Sequence, residues 1–133
     1  MILIKPIIVA GAPPSTSPVS QAVSAGGMVF IGGQMPRDPV SGLIPPDLRE
    51  QVRLTMAHCL EILRSAGCAR SDVAMVFAYV TDLAVKPALN AEFERMFGDH
   101  RPTRNLVQVS AIGEDAVVEL SMIAVAAPPQ RAD

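Results

Sequence analysis

Apolar positions along this chain fall into two periods, and the periods alternate. Over Asp47–Gly67, Val52, Met56, Cys59, Leu60 and Leu63 recur at steps of three and four, which is one face of a helix. Asp47 followed by Glu50 gives that helix a capping-box-like start after Pro46, and Gly67 supplies a left-handed stop. A second helix is predicted over Val85–Phe97, with Pro87 in its first turn, Leu89, Phe93, Met96 and Phe97 on one face, and Gly98 at its end. Asn90 stands one residue past Leu89, off the centre of the apolar stripe, where it reads as a surface polar residue. The remaining apolar runs have strand chemistry. Asp72–Thr81 is almost continuously apolar and predicts a central strand covered on both faces. Asn105–Ser110 and Ala116–Ala126 flank a polar turn at Gly113, Glu114 and Asp115, which predicts a β-hairpin.

Upstream, Ile2–Val9 reads as a strand that Pro6 confines to an edge, and Gly11–Pro18 as a loop. Gln21–Ala25 and Met28–Ile31 form a second hairpin signal through Gly26 and Gly27. The stretch GGQMPRDPVSGLIPPD that follows reads as a loop. Within it Gly32 and Gly33 mark a bulge, a close backbone approach or simply the end of a strand. Residues 128–133 lack periodicity and read as a frayed tail. The resulting order is β-β-β-α-β-α-β-β over residues 1–133 as one domain of the α/β (α+β) class. A single sheet with both helices on one face satisfies it. Met75, Phe77 and Tyr79 on one side of the middle strand, and Val76, Ala78 and Val80 on the other, make both faces apolar. Two helices cannot cover both, so the second face is expected to pack on other copies of the chain.

Composition narrows the function classes. Half of the 133 residues are hydrophobic and 18% are charged, which excludes a disordered chain. No apolar run approaches the roughly 20 residues of a membrane span, and Lys5 and Pro6 interrupt the apolar start, so neither an anchor nor a signal peptide is expected. The net charge of −2 comes with no basic cluster, which disfavours nucleic acid as a partner. Cys59 and Cys68 have no zinc-type spacing, and a cytoplasmic location suits them.

Dinucleotide-binding, P-loop, zinc-protease and nucleophile-elbow motifs are all missing from the sequence. What remains is Arg104 at a strand entrance, Glu119 as the one charge in an apolar strand, the Gly32–Gly33 backbone, and Asn90. A carboxylate among Val117, Val118, Leu120 and Met122 costs several kcal/mol unless paired or protonated. An arginine offers a planar fork to a carboxylate ligand, and a desolvated glutamate can hold a water or exchange a proton. The pair therefore describes either a pocket for a small carboxylic acid or a structural Arg104–Glu119 ion pair.

Five segments carry a resemblance that covers nearly the whole chain: SPVSQAV at 17–23, MVFIGGQMP at 28–36, YVTDL at 79–83, LNAEFERMFGDHRPTRNLVQV at 89–109 and VVELSMIAV at 117–125. They resemble the Rid family (YjgF/YER057c/UK114; reactive intermediate deaminases, also described as endoribonuclease L-PSP-like). The most specific part is PTR followed fifteen residues later by the strand glutamate. The resemblance implies a chorismate-mutase-like fold and a homotrimer with clefts between subunits. It also implies a hydrolase that deaminates enamines and imines, such as 2-aminoacrylate and 2-iminopropanoate, to 2-oxo acids and ammonia without metal or cofactor. Carried over by position, Arg104 would grip the substrate carboxylate and Glu119 would activate water or relay a proton. Gly33 and the Leu106 backbone would line the cleft, and Asn90 would stand at its wall. Three positions depart from the family pattern: Val19 replaces a tyrosine, Gly32 a serine and Leu106 a cysteine. Those changes point to a preference shifted toward bulkier or more apolar imino acids. Two other readings fit the same residues: a non-catalytic carboxylate-binding regulatory trimer, and a dedicated catabolic deaminase of an aminoacrylate or aminomuconate intermediate. The ribonuclease role claimed for some relatives sits poorly with the acidic pI of about 5.6.

Overall fold

The computed structural model describes residues 3–9 and 17–126. Its strands are β1 (Lys5–Pro6), β2 (Ala22–Ala25), β3 (Met28–Gln34), β4 (Val73–Val80), β5 (Thr103–Gln108) and β6 (Val118–Val125). Helix α1 (Leu48–Ser65) lies between β3 and β4, and α2 (Lys86–Phe97) between β4 and β5. The strands form one six-stranded sheet in the order β1-β2-β3-β6-β4-β5. The predicted element order and the single sheet are therefore present. The loop expected over 11–18 falls largely outside the described residues, and the tail at 128–133 wholly so.

The hairpin predicted from 105 to 126 does not form. β5 pairs with β4 in parallel, and β6 pairs antiparallel with both β3 and β4. Polarity explains the exchange. β6 is apolar at alternate buried positions, Val118, Leu120, Met122 and Ala124, and takes the middle of the sheet. β5 carries Thr103, Arg104, Asn105 and Gln108, and takes the edge, where unpaired backbone groups meet water. A parallel pair needs a crossover connection, which α2 supplies.

Two smaller corrections concern the N-terminal half. Only Lys5–Pro6 of the predicted first strand pairs, at the edge beside Val23 and Ser24. Gly32 and Gly33, expected at the start of a loop, belong to β3, whose register with β6 shifts between Ile31 and Gln34. The bulge reading of the two glycines is the one the backbone adopts.

Both helices lie on one face. Asp47 caps α1 by accepting a hydrogen bond from the Arg49 N–H, and Val52, Met56, Cys59, Ile62 and Leu63 go into the core. They meet Val76, Ala78 and Val80 of β4 and the even-numbered residues of β6. Each fully buried side chain of this size contributes roughly 1.5–3 kcal/mol. Gln51 is the polar exception, 3% exposed. Its side chain donates to the Pro45 carbonyl (2.8 Å) and accepts from the Val117 N–H (2.9 Å), tying α1 to the loop before it and to the start of β6. The opposite face carries Met28 and Phe30 of β3, Met75, Phe77 and Tyr79 of β4, and Ser121, Ile123 and Val125 of β6. No helix among the described residues covers it, and Phe30 and Val125 are 38% and 50% exposed.

Candidate functional site

Register decides where the candidate residues point. Arg104 is paired with Val76, and Leu106 with Ala78, so both β5 side chains share the helix-covered face. Glu119 is paired with Tyr79, which puts it on the uncovered face with Ser121. β4 separates the two strands, so Arg104 and Glu119 stand two strands apart, about 10 Å laterally, and on opposite sides of the sheet. The structural ion pair between them, one of the two readings of the sequence, does not exist within the chain.

Arg104 is held by two contacts. Its guanidinium donates to the Asn90 side-chain oxygen at 2.9 Å. It lies over the Phe93 ring, with Cζ 4.8 Å from the centroid. Partial burial lowers its pKa from the usual arginine value, and it stays the cation that arginine is at any ordinary pH. Asn90 and Phe93 come from successive turns of α2, so one helix face supplies both the acceptor and the stacking surface. Beneath them Phe93 meets Phe97 edge-on, with centroids 5.3 Å apart. The cavity at this edge has a volume of about 300 Å³ and is lined by Asn90, Phe93, Phe97, His100, Arg101 and Arg104, among others. His100 is fixed within it by donating to the Val73 carbonyl at 2.6 Å. Two of the five guanidinium N–H groups suffice for a bidentate grip on a carboxylate, and the bond to Asn90 leaves enough of them free.

Glu119 belongs to a second cluster. A β-carbon added at Gly33 would lie 2.5 Å from its Oε1 and 2.9 Å from its Cδ. The glycine is therefore what lets the carboxylate lie across the bulge of β3. Gly32 packs against the preceding loop: its N–H donates to the Gln21 carbonyl at 2.8 Å, and an added β-carbon would stand 3.3 Å from the same oxygen. Val19, two residues before Gln21, is 67% exposed. At the near end of the sheet, Arg37 pairs with Glu114, which joins the loop after β3 to the turn before β6. Glu114 and Asp115 hold positive φ there, at 57° and 59°.

The predicted residues thus fall into two groups. Arg104, Asn90 and Leu106 lie at the β5 edge on the helix side. Glu119, Gly33, Gly32 and Val19 lie around β3 and β6, with Glu119 on the open side. Asn90 is not the idle surface residue its place off the apolar stripe suggested, because its side chain anchors the arginine. Phe93 under Arg104, and Tyr79 opposite Glu119, were not picked out by sequence reasoning. Phe93 sits three residues after Asn90, and that helical spacing was the available signal. Among the described residues no group of three or more histidine, cysteine or acidic side chains is arranged to hold a metal. No helix among them is long and apolar enough to cross a membrane.

One mixed sheet backed by two helices, with a stacked arginine at one edge and a carboxylate on the uncovered face, defines a small α+β domain. A family model described as Endoribonuclease L-PSP matches residues 9–126, and the chain belongs to that family, which is also known as YjgF/RutC. It is 34% identical to a RutC family protein of Pyrococcus horikoshii over 119 residues, covering 89% of this chain and 94% of the relative. It is 35% identical over 117 residues to TdcF of Escherichia coli, covering 86% and 91%; that protein's name ascribes to it the deamination of reactive intermediates. The crystal structure of Escherichia coli TdcF with bound serine superposes with a TM-score of 0.85 at 34% identity, covering 92% and 99% of the two chains. That of the Escherichia coli YjgF gene product gives 0.84 at 31%, covering 91% and 98%. The fold expected from the resemblance is the fold of these relatives, and the family supports an enzyme-like role in deaminating reactive intermediates.

Proposed function

We propose that this chain is a cofactor-independent deaminase of reactive imino acids, working in a homotrimer whose clefts combine the two groups of residues. Arg104, oriented by Asn90 and Phe93, grips the substrate carboxylate, with the Leu106 backbone and side chain beside it. Glu119 of a neighbouring copy, seated against Gly33, takes a proton from water as the water attacks C2 of the imine. The tetrahedral carbinolamine then collapses, the proton passes to nitrogen and ammonia leaves. Imine plus one water gives one 2-oxo acid and one ammonia. The observation that carries this reading is the placement of the stacked arginine and the carboxylate on opposite faces, so that one chain alone does not bring both to one substrate. The uncovered apolar face gives a neighbouring copy its contact surface, and serine bound to TdcF is a small amino acid of the size the cleft would take. The reading extends to one domain over 1–133 and a cytoplasmic protein.

The missing tyrosine at Val19, the missing hydroxymethyl at Gly32 and the apolar Leu106 favour imines with longer apolar side chains. Imines generated in situ by an amino-acid oxidase from alanine, 2-aminobutyrate, leucine and methionine test this through the rate of 2-oxo acid release. We expect acceleration with all four, and a higher kcat/KM for the leucine and methionine products. No acceleration with any of them refutes the deaminase. Retained carboxylate binding in that case supports the non-catalytic regulatory trimer that the polar losses otherwise favour. Arg104→Ala and Glu119→Gln should each be inactive, while equal mixtures co-assembled after unfolding should recover about a quarter of the wild-type clefts if each cleft takes one residue from each copy. A site contained within one chain recovers nothing.

A further inference from the structure

On the outer surface, between the C-terminal parts of the two helices, lies a second groove, of about 450 Å³. Leu60, Cys68, Met96 and Phe97 give it an apolar floor, and Arg64 and Arg70 stand at its rim. Neither arginine is saturated. Arg64 meets Glu61 only at 3.6 Å, with its side chain 62% exposed. Arg70 donates to the Met96 carbonyl at 3.3 Å and has no carboxylate within ion-pair distance among the described residues. The nearby Asp72 carboxylate is engaged in accepting from the Ala69 N–H at 2.7 Å. Two guanidinium groups over an apolar floor complement a molecule with one anionic end and an apolar body. The carbonyl ends of two helices oppose an anion here, so such a ligand depends on both arginines rather than on the backbone.

The groove also reaches the Arg104 cavity. Phe97 lines both. From it the contacts run edge-on to Phe93 at 5.3 Å and from Phe93 to the Arg104 guanidinium at 4.8 Å. A body packed on one side of Phe97 therefore bears on the stack that orients the arginine on the other. We infer that this groove is a second binding site for a small organic carboxylate with an apolar body, and that its occupancy is read at Arg104 through Phe97 and Phe93. The binding half stands on the groove alone; the coupling half rests on the carboxylate-gripping role proposed for Arg104.

The probe is 4-phenylbutanoate, titrated into the full chain by calorimetry, with its methyl ester as neutral control. Because Arg104 itself offers a carboxylate site, binding is measured in the Arg104→Ala protein. We expect one remaining site, at least tenfold weaker for the ester and at least fivefold weaker when Arg64→Ala and Arg70→Ala are added. Circular dichroism establishes that the triple variant is folded, and Arg64→Lys with Arg70→Lys, which keep the charges, should restore part of the affinity. Loss of all binding in Arg104→Ala, or affinity indifferent to the rim arginines or to esterification, overturns the site. For the coupling, saturating probe should change the KM of the wild-type deaminase at least twofold, and that change should vanish both in Phe97→Leu, which still binds the probe, and in Arg64→Ala with Arg70→Ala; a change that survives either is direct competition at Arg104 and overturns the coupling. If the probe binds and KM does not move, the coupling is wrong and the site stands. If no imine is turned over, the deaminase fails and the binding result is unaffected.

Discussion

Gly33→Ala separates the positioning of Glu119 from the stability of the sheet. The new methyl carbon would begin 2.5 Å from the Glu119 Oε1 and 2.9 Å from its Cδ. Ordinary contact is about 3.5 Å, so the carboxylate must retreat by roughly 1 Å. It can do so cheaply, because it is the far end of a flexible, half-buried side chain rather than backbone. The expected loss of stability is therefore small, about 1 kcal/mol at the low end of overpacking costs. That corresponds to a Tm fall of roughly 3–6 °C for a chain of this size. The chemical cost is larger. A misplacement of about 1 Å at a reacting group costs on the order of 100-fold in rate, or about 2.7 kcal/mol of barrier. Gly32→Ala is the matched control, since its β-carbon would stand 3.3 Å from the Gln21 carbonyl and needs only a few tenths of an ångström. The assay is steady-state 2-oxo acid release on the leucine-derived imine, alongside thermal unfolding of each variant. Gly33→Ala should lose kcat with little change in KM, and Gly32→Ala should keep most of both. Activity of Gly33→Ala within threefold of wild type, or equal losses in the two variants, would falsify the placement of Glu119 at the chemistry.

Other outcomes follow from the same contacts. Asn90→Ala removes the acceptor that orients Arg104, and should raise KM by roughly 10- to 150-fold, the worth of about 1.5–3 kcal/mol for a hydrogen bond to a charged group, with a smaller effect on kcat. Phe93→Leu keeps an apolar side chain but not the ring face, and should weaken carboxylate binding by about 0.5–2 kcal/mol, measurable by competition with a non-reactive 2-oxo acid. Gln51→Leu strands the Val117 N–H and the Pro45 carbonyl, at about 1–3 kcal/mol for each buried unsatisfied group, and should lower the urea midpoint with an unchanged m-value. Burial pushes the Cys59 thiol up to about 12, so it should resist a thiolate-seeking disulfide reagent at pH 8 until the chain is unfolded. Above about pH 9 the unfolded thiol ionises while the native one does not. This contribution to stability should therefore fall as pH rises from there.

The element order was readable because two helical stripes and several strand runs repeat strongly enough to outweigh local ambiguity. Strand adjacency was not. Asn105–Ser110 and Ala116–Ala126 have a short turn between them, and proximity argued for a hairpin. What separated them was a longer-range preference: β6 buries Leu120 and Met122 by lying between two partners, and β5, with Arg104 and Gln108, is better placed with one. The site followed the same divide. Arg104 and Glu119 stood out as charges in the wrong company. Which face each occupies depended on pairings to β4 that no local pattern encodes. Asn90 looked idle because its partner is fourteen residues away in sequence and one turn of fold away in space.

β5 ends the sheet and offers its outer backbone groups to any strand that arrives, and Val107 beside it is 46% exposed. An inward-pointing charge is one of the devices by which natural sheets keep such an edge from recruiting strangers. Arg104 fits that description, flanked by Asn105 and stacked over Phe93. The residue proposed to hold substrate is thus also a gatekeeper against strand addition, and Arg104→Ala should shorten the soluble lifetime of concentrated protein. Arg104→Lys, which keeps the charge and loses the fork, should stay soluble while binding poorly, and so tells the two duties apart.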